Sequence, residues 1–166
     1  MNIIIESSLK TLNKTKLLLD HLDDNLLCEA SVPPYHSSIG NHIRHILDFY
    51  GCIFNVSSNN KVDLTARSRN KDVASDCECA QNYLDSIIQK LNTELINVTD
   101  TILVIDDLGM GKSEIHYTFG ALLAQANSHT IHHYAIINYI LEGLKISFDD
   151  SEFGYNPTTP KETSLS

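Results

Sequence analysis

The chain reads as all-α: a four-helix bundle with long crossover connections, and a small β-hairpin or extended segment before the last bundle helix. Three observations predict this. Four segments repeat apolar residues at spacings of three and four, the period of a helix that buries one face. Long polar connections separate the second helix from the third and the third from the fourth, as crossovers over the bundle ends require. The chain of 166 residues, 42% apolar and 20% charged, has the makeup of one globular domain. That length buries ~70% of the unfolded surface without staples. The bundle is expected over residues 1–146, and residues 147–166, rich in Pro, Ser and Thr, form an irregular tail packed on the same domain or extending from it.

The first helix runs from about Ile5 to Leu22, with Leu9, Leu12, Leu17, Leu18, Leu19 and Leu22 among polar residues. Leu26 to Tyr35 is a loop, because Pro33-Pro34 cannot lie inside a helix and forces Val32 to be extended. Ser37 or Ser38 caps a second helix that reaches about Asn55. Ser57-Ser58-Asn59-Asn60 ends it, and the polar stretch to Asn70 is a crossing loop. The third helix spans about Asp72 to Ile96, with Ala80, Tyr83, Leu84, Ile87, Ile88, Leu91 and Leu95 on one face. The β-branched run Thr101–Ile105, the Gly109/Gly111 turn and Glu114–Tyr117 make the hairpin or extended crossover. The fourth helix runs from about Phe119 to Leu144, stopped by Gly143 and the polar residues beyond.

The formal charge is −9, from 21 acids against 12 bases. Phosphate binding needs a basic surface. Arg67, Arg69 and Lys71 form one small basic cluster, flanked by Asp63 and Asp72, so no nucleic-acid partner is expected. No signal peptide and no apolar run of membrane-spanning length is evident, which gives the expectation of a cytoplasmic protein with no membrane partner. Cys77 and Cys79 stand ~200° apart on a helix and cannot share a tetrahedral ion there. With Cys28 and Cys52 they are read as thiols.

Eight histidines are present, and five of them fall in two windows: His42 and His45 in the second helix, and His129, His132 and His133 in the fourth. Phe119, Leu122, Ala126, His129, His133, Ile136, Ile140 and Gly143 form one seam at helical spacing, with two histidines side by side in it. A spacing of four sets their rings ~40° apart around the axis. Burying a polar ring nitrogen without a partner costs on the order of 1–3 kcal/mol, which one divalent metal offsets for both rings. A third imidazole comes from the stripe Ser38, His42, His45, Phe49, Cys52 and Val56, and spacing alone leaves His42 and His45 equally eligible. His132 falls beside the seam, and His21, His36 and His116 are ordinary core or surface residues. Thr130 follows His129, so the H-E-x-x-H motif of zincin proteases is absent.

Ser38-Ile39-Gly40-Asn41-His42-Ile43-Arg44-His45-Ile46-Leu47-Asp48 and Ser128-His129-Thr130-Ile131-His132-His133-Tyr134 resemble the motifs of the DinB-like (YfiT-like) metal-binding four-helix bundles. The segments Val62-Asp63 through Arg69 and Phe153–Pro157 also resemble a subgroup of uncharacterised members. The resemblance implies His45, from His45-Ile46-Leu47-Asp48, as the ligand beside His129 and His133. It also implies an up-down-down-up topology, a homodimer, and a divalent ion, zinc or nickel ahead of iron. The function implied is that of a metal-dependent transferase or hydrolase acting on a small-molecule substrate with a low-molecular-weight thiol. The alternative is a non-catalytic dimeric metal-binding stress or sensor module. Three neutral imidazoles leave a coordination position open, which suits catalysis. Asp48, Asn127, His42 and Asn41 are candidates to orient a ligand's second ring nitrogen, and Tyr134, Tyr50 and Arg44 are candidates to meet a substrate. An anionic substrate requires Arg44, Arg67 or Arg69 to reach the pocket, given the overall charge.

Overall fold

The computed structural model describes residues 2–93 and 96–160. Helix α1 (Ile3–His21) starts at Asn2, whose side chain accepts a hydrogen bond from the Ile4 amide. Its buried face carries Ile5, Ser8, Leu12, Thr15 and Leu19, while Leu17 is exposed. Small hydroxyl side chains thus share the buried stripe with the leucines. They are satisfied inside the bundle: the Tyr134 hydroxyl lies 2.6 Å from Thr15 Oγ1 and donates to the Thr11 carbonyl at 2.7 Å.

A short helix α2 (Asp24–Cys28) occupies part of the stretch expected to be loop. Asp23 makes it possible, because its carboxylate caps the Leu26 amide at 2.8 Å. Helix α3 (Ile39–Ile53) begins one residue after Ser38, whose Oγ accepts from the Asn41 amide. Helix α4 (Cys77–Thr93) is shorter than expected at its start. Residues from Asp72 form a separate 3-10 turn, Lys71–Ala74, and Asp76 then caps the Cys79 amide. The expected core position Leu95 lies outside the described residues. Helix α5 (Phe119–Gly143) leaves the preceding strand directly, capped by Thr118.

The protein is mostly helical, as expected, and the small hairpin expected before the last helix belongs to a three-stranded sheet. Strands β2 (Thr101–Asp107) and β3 (Lys112–Thr118) form the antiparallel hairpin, turned by Gly109 and Gly111, both at φ 96°. The third strand, β1 (Lys61–Asp63), falls in the polar stretch read as a crossing loop and pairs in parallel with β2, Lys61 opposite Leu103 and Asp63 opposite Ile105. Three residues carry too short an alternation to be seen in sequence. The partner strand's buried Ile102 and Val104 and the strand's own Val62 supply the apolar face.

The four long helices pack in a ring, with α5 against α1 and α3, and α4 against the same two. The sheet touches the bundle through β1 on α3 and β3 on α5. The tail folds back on α5 and α1: Phe153 is fully buried and stacks on Tyr134 at 4.4 Å, and Asp150 pairs with Lys14 at 2.7 Å. The remainder, residues 161–166, lies outside the described residues. No helix among the described residues is long and apolar enough to cross a membrane.

Candidate metal centre

Helices α3 and α5 lie side by side, and each brings two imidazoles to their shared groove. His45 Nε2 is 2.8 Å from His129 Nε2, which is 3.2 Å from His133 Nε2. One nitrogen from each of His45, His129 and His133 lies within 4.8 Å of the others. Three nitrogens bound to a tetrahedral ion at ~2.0–2.1 Å stand ~3.3 Å apart, so these side chains fit such an ion with little movement. Both of these contacts share one nitrogen, His129 Nε2, so the rings cannot fully satisfy each other through hydrogen bonds.

The centre sits at the edge of the bundle rather than in its middle. The buried line of α5 runs through Ala126, Thr130, Tyr134, Ile137 and Leu141. His129 and His133 lie beside it and are half-buried, with Ile136. The expected seam is therefore displaced by one residue around the helix. Tyr134 takes the central position because its hydroxyl finds Thr15 and Thr11 on α1, whereas the imidazoles keep one edge toward the groove. Tyr134 and Tyr50, candidates for substrate contact, are core residues at 1% and 0% exposure.

The family model of the DinB superfamily matches residues 9–137, a span containing all three converging histidines. The chain belongs to the DinB superfamily. No protein of curated function and no solved structure matches it.

In this DinB-superfamily chain, packing separates the two eligible histidines of α3. His45 joins the cluster, while His42 stands behind His133, Nδ1 to Nδ1 at 2.8 Å. The other nitrogen of His42 lies 2.7 Å from Ser37 Oγ. Phe49 covers one flank of the cluster, its ring centroid 5.2 Å from that of His129, and His132 is exposed. Asp48, 2% exposed, accepts from the Arg69 amide at 3.1 Å, so its observed bond holds the loop after β1; its other oxygen is buried without a partner. Asn127 lines a cleft of about 370 Å³ with Ser7, Lys10 and Thr11, on a different side of α5 from the imidazoles. Asn41 is exposed.

Of the three arginines named as able to reach the pocket, Arg67 makes a contact not foreseen from sequence: its Nη1 donates to His45 Nδ1 at 2.7 Å. The basic cluster it belongs to was visible, but nothing local told where the loop would carry it. Asp106, at the end of β2, is also close enough for its charge to act on His129.

All four imidazoles are less basic than usual. Burial pushes His45 down to about 4, with His129 and then Arg67 adding to it. Burial also pushes His133 down to about 3, helped by His129 and His45. His42 and His129 shift the same way, burial first in each case. The rings are therefore neutral at pH 7, with lone pairs that protons do not contest. Unfolded imidazoles titrate near 6.5. Between that value and the folded ones the unfolded chain binds more protons, so this contribution to stability is complete above about pH 6.5 and falls as pH drops toward 4. The metal-free protein is expected to melt at progressively lower temperature from pH 7 to pH 4.5. A clearly flatter profile over that range in His45→Gln, His133→Gln protein, where His42 and His129 remain, identifies these rings as a main source; a level profile in the wild type contradicts the assignment.

Proposed function

We propose that this protein is a metal-dependent enzyme, a thiol-dependent transferase or hydrolase that works on a small molecule at the three-histidine centre. The convergence of His45, His129 and His133 nitrogens on one point carries this reading. A divalent ion there, zinc or nickel ahead of iron, supplies Lewis acidity to a thiol or an ester carbonyl. The chain's own groups prepare the site. His133 that offers its Nε2 lone pair carries its proton on Nδ1, donates it to His42 Nδ1, and leaves the His42 Nε2 proton for Ser37 Oγ. This relay fixes the tautomer and orientation of His133, the task outer hydrogen bonds perform at imidazole sites. Half-burial leaves one side of the cluster open to a substrate.

The test is untagged protein loaded with zinc or nickel, assayed for transfer of small cellular thiols to an electrophile and for ester hydrolysis. One bound ion and metal-dependent turnover, lost in His133→Ala, is the expected result. One bound ion with no turnover rejects catalysis and leaves the second reading, a non-catalytic metal-binding module acting as a homodimer. One observation favours that second reading: the cleft of about 370 Å³ beside α1 is not lined by these histidines.

A further inference from the structure

We propose that Arg67 recognises a carboxylate on the substrate, so that the small molecule bound at this centre is an anionic thiol held at two points. The inference rests on the metal-centre reading above and deepens it.

Arg67 is held in place from both sides. Before it, Leu64 is buried and its amide donates to the Ile105 carbonyl at 2.9 Å; Thr65 bonds Asp63 Oδ1 through both its amide and its hydroxyl. After it, the Arg69 amide is tied to the buried Asp48 carboxylate, one helical turn beyond His45. These anchors put the guanidinium one imidazole ring away from the point where the three nitrogens meet. A donor positioned by its supporting loop needs little further ordering to bind.

Proton positions then decide what Arg67 does. A guanidinium only donates, so the His45 Nδ1 that it contacts is bare, and the ring proton sits on Nε2, where it is donated to His129 Nε2. His45 that gives its Nε2 lone pair to an ion carries the proton on Nδ1 instead. Two donors would then face each other, and the Arg67 contact cannot persist. The relay behind His133 has no such conflict, since a histidine and a serine can each accept. Ligation therefore frees one half-buried guanidinium and removes its acceptor. A charged donor left without an acceptor is costly, and a planar carboxylate supplies two acceptor oxygens in matching geometry.

A second cation acts on the same imidazole. Arg44 immediately precedes His45 on α3, contributes to the positive field at that ring, and has a buried Nε without a hydrogen-bond partner. Opposing charges are present too: Asp106 acts on His129, and Asp48 and Asp63 act on Cys52 together with Arg67. With a net charge of −9 the protein does not attract anions from a distance, so recognition depends on this local contact.

The probe pair is 3-mercaptopropionate and 3-mercaptopropanol, which share a thiol and differ in the distal carboxylate. Each is titrated into the full chain loaded with cobalt(II), and binding is read from the sulfur-to-cobalt absorption band. The wild type is expected to bind the carboxylate at least about tenfold more tightly. Arg67→Ala should bring the two affinities together, with Arg67→Lys between. Arg67→Ala should also bind cobalt itself as tightly as the wild type or more so, because the donor opposing His45 Nδ1–H is gone. Equal affinities in the wild type mean that the freed guanidinium turns to the chain's own acid, and they overturn the proposal. A preference that survives in Arg67→Ala overturns it too. If cobalt does not bind the wild type at all, the metal-centre reading falls with it, an outcome recognised by the missing ligand-field bands.

Discussion

His129→Ala is expected to abolish tight binding of a divalent ion while leaving the fold intact. Its Nε2 is the one nitrogen in contact with both others, at 2.8 and 3.2 Å, so its loss leaves single imidazoles on two helices. The fall in affinity should exceed the ~10–100-fold that follows loss of an outer hydrogen-bond partner. His42→Ala, which removes such a partner from His133, gives the scale for comparison. The metal-free variant should melt close to the wild type, because His129 is half-buried and beside the buried line of α5. Added zinc at 1,000 times the wild-type Kd stabilises the wild type by about 4 kcal/mol and should no longer raise the melting temperature of the variant. Calorimetric titration together with thermal melts separates these effects. A variant that keeps wild-type affinity shows that the ion is held elsewhere.

Gly40→Ala is expected to cause the largest loss of stability and to weaken metal binding from a distance. A Cβ at Gly40 would stand 2.0 Å from the Ala74 carbonyl oxygen and 2.7 Å from its carbon. Both are backbone atoms, so α3 and the 3-10 turn must move apart rather than a side chain rotate. Overpacking of this kind typically costs about 1–3 kcal/mol, and rigid backbone on one side places this case at the upper end. His42 and His45 follow Gly40 by two and five residues on the same helix, so any shift of α3 pulls them from their partners on α5. A lower urea midpoint with reduced zinc affinity is the outcome to look for. Unchanged values for both would show that the turn yields at no cost.

Much of the helical framework was legible because its causes are local. Ser38 announces α3 by capping Asn41, and Gly143 with the polar residues after it closes α5 at the expected place. The short helix α2 and strand β1 were not legible. A five-residue helix carries little periodicity, and Lys61–Asp63 becomes a strand only when β2 offers a partner ladder. The buried stripe of α1 was only partly legible: Ser8 is buried with its hydroxyl donating to the Ile4 carbonyl one turn earlier, and Thr15 because Tyr134 on α5 meets its hydroxyl, neither of which hydrophobicity alone can register.

The candidate site divides along the same line. His129 and His133 belong together by sequence alone, since residues four apart on a helix share a face whatever surrounds them. That an imidazole from α3 would join them followed from its two histidines at inward-facing spacings. Which one joins depends on the rotation of α3 against α5, set by every side chain between them, and packing places His45 in the cluster and His42 behind His133. The position of Arg67, tied between β2 and Asp48, likewise exists only once strand and helix have met. Local spacing determines angles around one axis; the contacts between separate segments come from packing, and the chemistry of this centre depends on both.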